Sequence, residues 1–362
     1  MTYPLKTRQV CFFIIAFSIV VKIFSLPSII ANFAGEDMWI SSLINLALDL
    51  VTLVVILFAC KSADKDFLSL LQESFGVVGA KIIAGVYVVY FILKAVLPLH
   101  EHRNYIDFTL YTLNSTTFYS IPIFILAFYL CFKKFNVLGR LSDVLWLVAI
   151  NGLITLIVLS FSNADFTAIL PIGAWGAGNI FKGSFQSLAW FGDSVYIMFF
   201  IGNFKFEKKS FLKILGAFCL SAIMILAFMI IFYCVFTSIA YRQRFALTEI
   251  AKYTTVINDL GRFDYIGIIM LLFSSAFAVC LPVFFCAQLL NYIFNIKKTW
   301  IAPIIAVAVQ VIFTLFFNKY FVSIQNFITN YVGYFFFVLC NIAPICISLK
   351  FIKEKHDATK TS

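Results

Sequence analysis

The chain has 362 residues, 62% hydrophobic and 12% charged, with a mean hydropathy of +0.99 and a formal net charge of +10. A water-soluble domain needs far more polar surface than this, so the solvent for most of the chain is lipid. The basic residues flank apolar runs instead of forming one patch, so the positive charge gives no indication of a nucleic-acid partner.

Charge-free windows recur along the chain, as at 214–241, 265–296, 299–318 and 320–349. Each reaches or exceeds the roughly 20 apolar residues that carry a helix across a bilayer. Backbone polar groups in hydrocarbon must be satisfied within their own segment, and the alternation of a membrane barrel is absent, so helices are predicted throughout. In chain order the spans fall at about 9–33, 38–60, 76–99, 118–132, 138–161, 180–204, 211–239, 264–294, 299–317 and 325–351. Lys6 and Arg8 precede the first span in the manner of a secretory signal, but Lys22 interrupts the apolar run and no small-residue cleavage site follows, so it is read as retained. Ten spans put both termini on one side. With that side inward, eighteen lysines and arginines lie in inner segments against seven in outer ones, so both ends are predicted to be cytoplasmic. In the outer stretch 240–263, Leu247, Ile250, Ala251 and Thr254 share a helical face, which predicts a short helix lying on the outer surface.

Two interruptions stand out. The first span contains "VVKIFSLPSII" at 20–30, where Pro27 lacks the amide hydrogen needed to continue a helix but suits the first turn of a new one, with Ser25 or Leu26 near the cap. The sixth contains "SLAWFGDSVYIMFF", where Gly192 admits dihedrals other residues avoid and Asp193 is placed to cap a half-helix from Ser194. Pro27 and Gly192 are 165 residues apart, close to half the chain. Interrupted spans at matching positions in two halves point to a transporter core of inverted repeats, here about 9–161 and 180–351 with a cytoplasmic tail at 352–362, all in one membrane domain. Such breaks free backbone groups and a positive helix end to meet a small polar ligand near mid-membrane, so Lys22, Ser25, Leu26, Pro27, Phe191, Gly192 and Asp193 are the candidate ligand-binding residues.

Lys22, Asp49, Lys94 and Asp193 fall within spans, where each costs about 2.5–3.5 kcal/mol at a helix centre and calls for an interior partner. Lys22 is read as a replacement for a coupling cation, as a releasable partner of Asp193 or Asp49, or as half of a static ion pair. Asp193 captures a ligand ammonium or caps its half-helix. Lys94, near the outer end of its span, is read as snorkelling to the interface. No cofactor, metal or catalytic activity is predicted. "HEHRN" at 100–104 has Asn104 where a zinc-protease helix needs its second histidine, the nine cysteines form no C-x-x-C pair, and no nucleophile elbow or phosphate loop is present.

"LPSIIANFAGEDMW" after the first break, "GRLSDV" opening the fifth span, "FGDSV" in the sixth and "FALTEIAKYTTVINDLGRFDYIG" leading into the eighth together resemble the spore germination permeases, the B-subunits of germinant receptors in the amino acid–polyamine–organocation superfamily. The likeness runs from about residue 5 to 350. It implies a ten-helix fold of the leucine-transporter type, a five-plus-five inverted repeat with broken first and sixth helices. It further implies a ligand pocket between spans one, three, six and eight, and an Arg-x-Asp pair, here Arg262 and Asp264, which with Asp49 is assigned a structural or gating role. Partnership with germinant-receptor A- and C-subunits in the inner spore membrane is implied as well. Where the family carries glycine before Leu-Pro, this chain has Val20, Val21 and Lys22; valines cover backbone that a ligand carboxylate would approach, and the lysine adds charge. The function expected is that of a transporter-like subunit of a nutrient-germinant receptor binding a small amino-acid-like ligand at the bilayer midplane. An autonomous permease for amino acids or related amines is the alternative, and a scaffold that has lost its ligand is a third reading.

Overall fold

The computed structural model describes residues 5–63, 65–110, 120–133, 135–243, 245–253, 264–320, 327 and 331–361; of these, 103–110, 252, 253, 264–269, 271–277, 318, 319 and 356–361 are described by backbone alone. Within them the architecture is helical, with one isolated backbone bridge between Leu5 and Phe204. The helices are α1 (Thr7–Lys22), α2 (Leu26–Ala34), α3 (Met38–Ser62), α4 (Phe67–Leu110), α5 (Ile121–Cys131), α6 (Phe135–Ser160), α7 (Gly176–Gln186) and α8 (Ser194–Phe199). There follow α9 (Ser210–Phe236), α10 (Ala246–Tyr253), α11 (Asp264–Phe294), α12 (Ile301–Lys319), α13 (Gly333–Phe337) and α14 (Ala343–Thr361), the last two joined by a π-helical turn at Val338–Ile342.

Five stretches are long and apolar enough to cross a membrane: Leu26–Ser62, Phe67–His102, Phe135–Asn163, Ser210–Arg242 and Gly333–Lys355. Shorter apolar helices lie at Ile121–Cys131, Leu188–Phe199, Ala278–Phe294 and Ile301–Phe317. Large apolar side chains such as Val78, Ile125, Val158, Leu212 and Ile312 point outward, as they do when the solvent is acyl chain. The chain is an all-α integral membrane protein.

Local sequence explains most boundaries. Pro27 sits in the first turn of α2, where its missing amide hydrogen has no helical partner to lose. The predicted third span begins at Gly76, where α4 breaks at φ 71°, ψ 170° before the long apolar segment runs on through Pro98. The last helix continues to Thr361, so the predicted tail extends the helix.

One end of the bundle gathers the N-terminus and two connections. Leu5 N–H donates to Asn203 O at 3.1 Å and Phe67 N–H to Ile201 O at 3.2 Å, while Gly202, at φ 76°, lies where a Cβ would strike the backbone of Asp66. At the other end "GED" is explained by a clamp. Asp37 accepts backbone N–H bonds from Gly173 (2.7 Å) and Trp175 (3.2 Å), Glu36 accepts from the Trp175 indole (2.6 Å), and that ring lies where a Cβ on Gly35 would project. The connection between α6 and α7 is thereby pinned onto the end of α2.

Helix α10 corrects the sequence expectation. Its apolar face does not rest on the outer surface: Leu247, Ile250 and Ala251 are buried, packed towards α2, α6 and α11. Their face is matched by protein, because the connection folds inward to reach the interrupted first span. Thr254 lies outside the described residues.

Candidate functional site

Helix α1 ends at Lys22, and the chain turns through Ile23–Ser25 before α2 begins. Helix α7 is followed by a short 3-10 turn at Leu188–Trp190, an extended Phe191, Gly192 at φ 88° and then α8. Gly192 is required twice over. Its φ is strained for any side chain, and a Cβ there would collide with the side chain of Cys340 in the π-helical turn.

The two interruptions meet. The Lys22 ammonium, fully buried at the end of α1, forms an ion pair with the Asp193 carboxylate, lies 3.5 Å from Ser18 O and sits 5.1 Å from the centre of the Phe191 ring. A cation in the last turn of a helix is also favoured by the helix dipole. Asp49, on α3, accepts the Gly192 N–H on both carboxylate oxygens at 3.0 Å, and its carbonyl accepts from the Ser194 hydroxyl at 2.8 Å. Sequence reasoning left Asp193 or Asp49 open as the partner of Lys22; the structure selects Asp193. It also alters the cap. Asp193 occupies the N-cap position of α8, but its side chain makes no capping bond, since the buried ammonium attracts the carboxylate more strongly than a backbone amide does.

Lys94 is a second correction. It does not snorkel. It is 2% exposed, its ammonium donates to Ala189 O at 3.0 Å and to Phe191 O, and it faces the Phe336 ring at 5.9 Å. The second break leaves those carbonyls without helical donors, and a buried lysine supplies them. Seven residues further along α4, on the same face, the Glu101 carboxylate accepts from the Ser25 hydroxyl and, at 2.8 Å, from the Trp190 indole N–H. Glu101 thus ties the last residue of the first break to the residue just before the second. Both lysine and glutamate were missed as site residues. The available signal was spacing: Tyr87, Phe91, Lys94 and Glu101 recur at helical intervals along one face.

The freed backbone groups are largely taken up by the protein itself. Phe24 O, inside the first break, accepts the Ala246 N–H at 2.8 Å from the start of α10; Ala189 O and Phe191 O are held by Lys94, and Gly192 N–H by Asp49. What stays unpaired is side-chain chemistry. Ser18 Oγ, Asp193 Oδ1 and Tyr196 OH are buried without a hydrogen-bond partner. Ser18 and Asp193 line a crevice with Phe13, Phe17, Ser194 and Phe218 that has no room for a water-sized sphere. Buried polar atoms are normally bonded, so two unpaired ones on one closed crevice, with a third on Tyr196 in the same half-helix as Ser194, set this place apart as the candidate site.

Of the other predicted residues, Leu26 and Pro27 are buried in the first turn of α2, with Ser25 at its cap position, and Phe191 supplies a ring face to Lys22 and a carbonyl to Lys94. Arg262 lies outside the described residues, and Asp264 begins α11 with its side chain likewise outside them. Behind Gly192 the π-helical turn is fastened by Tyr87 OH to Leu339 O (3.3 Å), Thr52 Oγ1 to Asn341 Oδ1 (2.9 Å) and Cys340 Sγ to Tyr90 OH (3.4 Å). Extra residues of this kind inside a helix recur at functional sites.

No curated protein matches the chain. A family model described as "Spore germination protein", of the spore permease type, matches residues 4–322, nearly the whole chain. With the interruptions at Ile23–Ser25 and Phe191–Asp193 facing each other, this membrane protein belongs to the spore germination permease family.

Proposed function

We propose that the chain is the transporter-like membrane subunit of a spore nutrient-germinant receptor, and that it binds a small amino-acid-like ligand near the bilayer midplane between the two chain breaks. The observation that carries this reading is the Lys22–Asp193 ion pair, which joins the two breaks beside three unpaired buried polar atoms. A ligand ammonium that takes the place of Lys22 on Asp193 displaces the lysine ammonium. Entry therefore exchanges one cation for another and leaves Lys22 to find a new partner. That exchange gives the ligand different affinities for the closed and parted states, which any ligand-driven shift requires.

In this reading the helices form ten spans in two inverted five-span repeats, about 9–161 and 180–351, with both termini cytoplasmic. Receptor A- and C-subunits receive the shift in the inner spore membrane. Arg262 and Asp264 are assigned to gating, and Asp49, which holds the Gly192 amide, to keeping the second break in register.

The test is a nutrient dose–response in spores carrying Lys22→Ala, with protein level in the membrane measured alongside. The expected result is a weakened response per unit of inserted protein; an unaltered curve after that normalisation overturns the assignment. Uptake of amino acids by the purified chain alone in vesicles would instead favour an autonomous permease.

A further inference from the structure

Far from the paired breaks, at the end of the bundle that holds the N-terminus, a cavity of about 480 Å³ opens between α5, α11 and the start of α12. Asn203, whose carbonyl accepts from Leu5 N–H, forms part of its wall and fixes the cavity at that end. Among the described residues the polar lining consists of Lys133, Asn203, Gln288, Asn291 and Thr299, and no acidic one takes part. Among the described residues the side chains of Gln288, Asn291 and Thr299 make no hydrogen bond to protein, and Lys133 is engaged only by the Tyr129 ring, 4.7 Å away. A wall of unengaged donors around one ammonium, without a carboxylate, is the chemistry of an anion site.

The rest of the wall is apolar, including Phe132, Phe135 and Pro303, and Phe132 is 44% exposed on the outer surface of the bundle. Two exposed aromatic residues adjoin the lining residues, Tyr129 at 52% exposure against Lys133 and Trp300 at 49% next to Thr299, the latter with the Lys298 ammonium 5.9 Å from its ring. Exposed tyrosine and tryptophan beside lysine are the anchors found at headgroup depth. The cavity is therefore lined by polar and apolar residues together, at an end of the bundle that carries exposed aromatic and basic residues.

We propose that this cavity binds the phosphate headgroup of an anionic glycerophospholipid, with Lys133 as its charge partner, the amides of Gln288 and Asn291 and the Thr299 hydroxyl as donors, and the apolar wall against the start of the acyl chain. The site is separate from the central one and does not depend on its ligand. A basic pocket between spans with this composition is a recognised form of headgroup binding.

The test uses the full-length protein purified in mixed micelles of phosphatidylglycerol and phosphatidylcholine, with retained lipid counted by native mass spectrometry. Phosphatidylglycerol is expected to be retained over phosphatidylcholine. Lys133→Gln is expected to lower that retention about five-fold, the effect of one lysine near the surface, while Lys133→Arg keeps it. Gln288→Leu, read in the same way, stands in should Lys133→Gln fail to fold. Equal retention of the two lipids overturns the proposal, as does unchanged retention in Lys133→Gln, or loss in Lys133→Arg to the level of Lys133→Gln. Competition by soluble glycerol phosphate at equal concentration also overturns it, in favour of a site for a free anion.

Discussion

At the first break, Ile23–Ser25, the chain contains no glycine and no residue with positive φ; at the second, Phe191–Asp193, it turns through Gly192 at φ 88°. The first is closed chiefly by backbone, Phe24 O taking the Ala246 N–H, and by a proline in the first turn of the following helix, with one side-chain bond from Ser25 to Glu101. The second is closed by side chains from elsewhere, with Asp49 on the amide of Gly192, Lys94 on two carbonyls and Lys22 on Asp193. A break closed chiefly by a backbone hydrogen bond tolerates side-chain change around it. One that depends on buried charges does not, because removing either member of a buried ion pair strands the other in low dielectric.

The sharpest way to break that comparison is Lys22→Ala. It is expected to cost about 3–5 kcal/mol by leaving Asp193 buried and unpaired. The paired replacement Lys22→Met with Asp193→Leu is expected to recover most of that loss, as read by thermal unfolding in detergent. If the double variant is as unstable as the single one, the ion pair is not what holds the second break. Next in size is Gly192→Ala, expected to cost about 2–4 kcal/mol from the strained φ together with the collision with Cys340. Adding Cys340→Ala should return only the part due to the sulfur, because the Cβ that alanine keeps still lies 2.6 Å from the added methyl, and the remainder combines that contact with the strained φ.

Lys94→Met is expected to cost about 1.5–3 kcal/mol, the worth of charged hydrogen bonds to two otherwise stranded carbonyls. Faster hydrogen exchange should appear in Leu188–Phe191 and be absent from the first break. Pro27→Ala should matter least, about 0.4–1 kcal/mol, acting through the unfolded chain. Since Phe24 O keeps its partner from α10, the first break is expected to stay where it is, seen as unchanged exchange across Ile23–Ser25. A collapse as large as that of Gly192→Ala would show that the proline, and not the α10 contact, maintains it.

Helix α10 and Lys94 show where sequence reading stops. The apolar face of Leu247, Ile250 and Ala251 was legible, but the same face suits a membrane surface or a protein wall, and only the folded chain places it against α2, α6 and α11. Lys94 near the end of an apolar run reads from sequence as snorkelling. Its burial follows from the carbonyls that the second break exposes, nearly a hundred residues away. Glu101 was passed over because its neighbours invite comparison with a metal motif, whereas its bonds run to Ser25 and Trp190.

Hydropathy, the missing amide hydrogen of proline and the freedom of glycine act within a few residues of the position concerned. From them the sequence alone determined that this is a helical membrane protein, roughly where its spans lie, and that two of them are interrupted. Which buried cation meets which anion depends on packing between helices distant in the chain. Lys22 with Asp193, Asp49 with Gly192, and Glu101 with both broken segments were therefore decided only by the tertiary structure, because the low dielectric that makes each pairing obligatory exists only once the surrounding helices have closed around it.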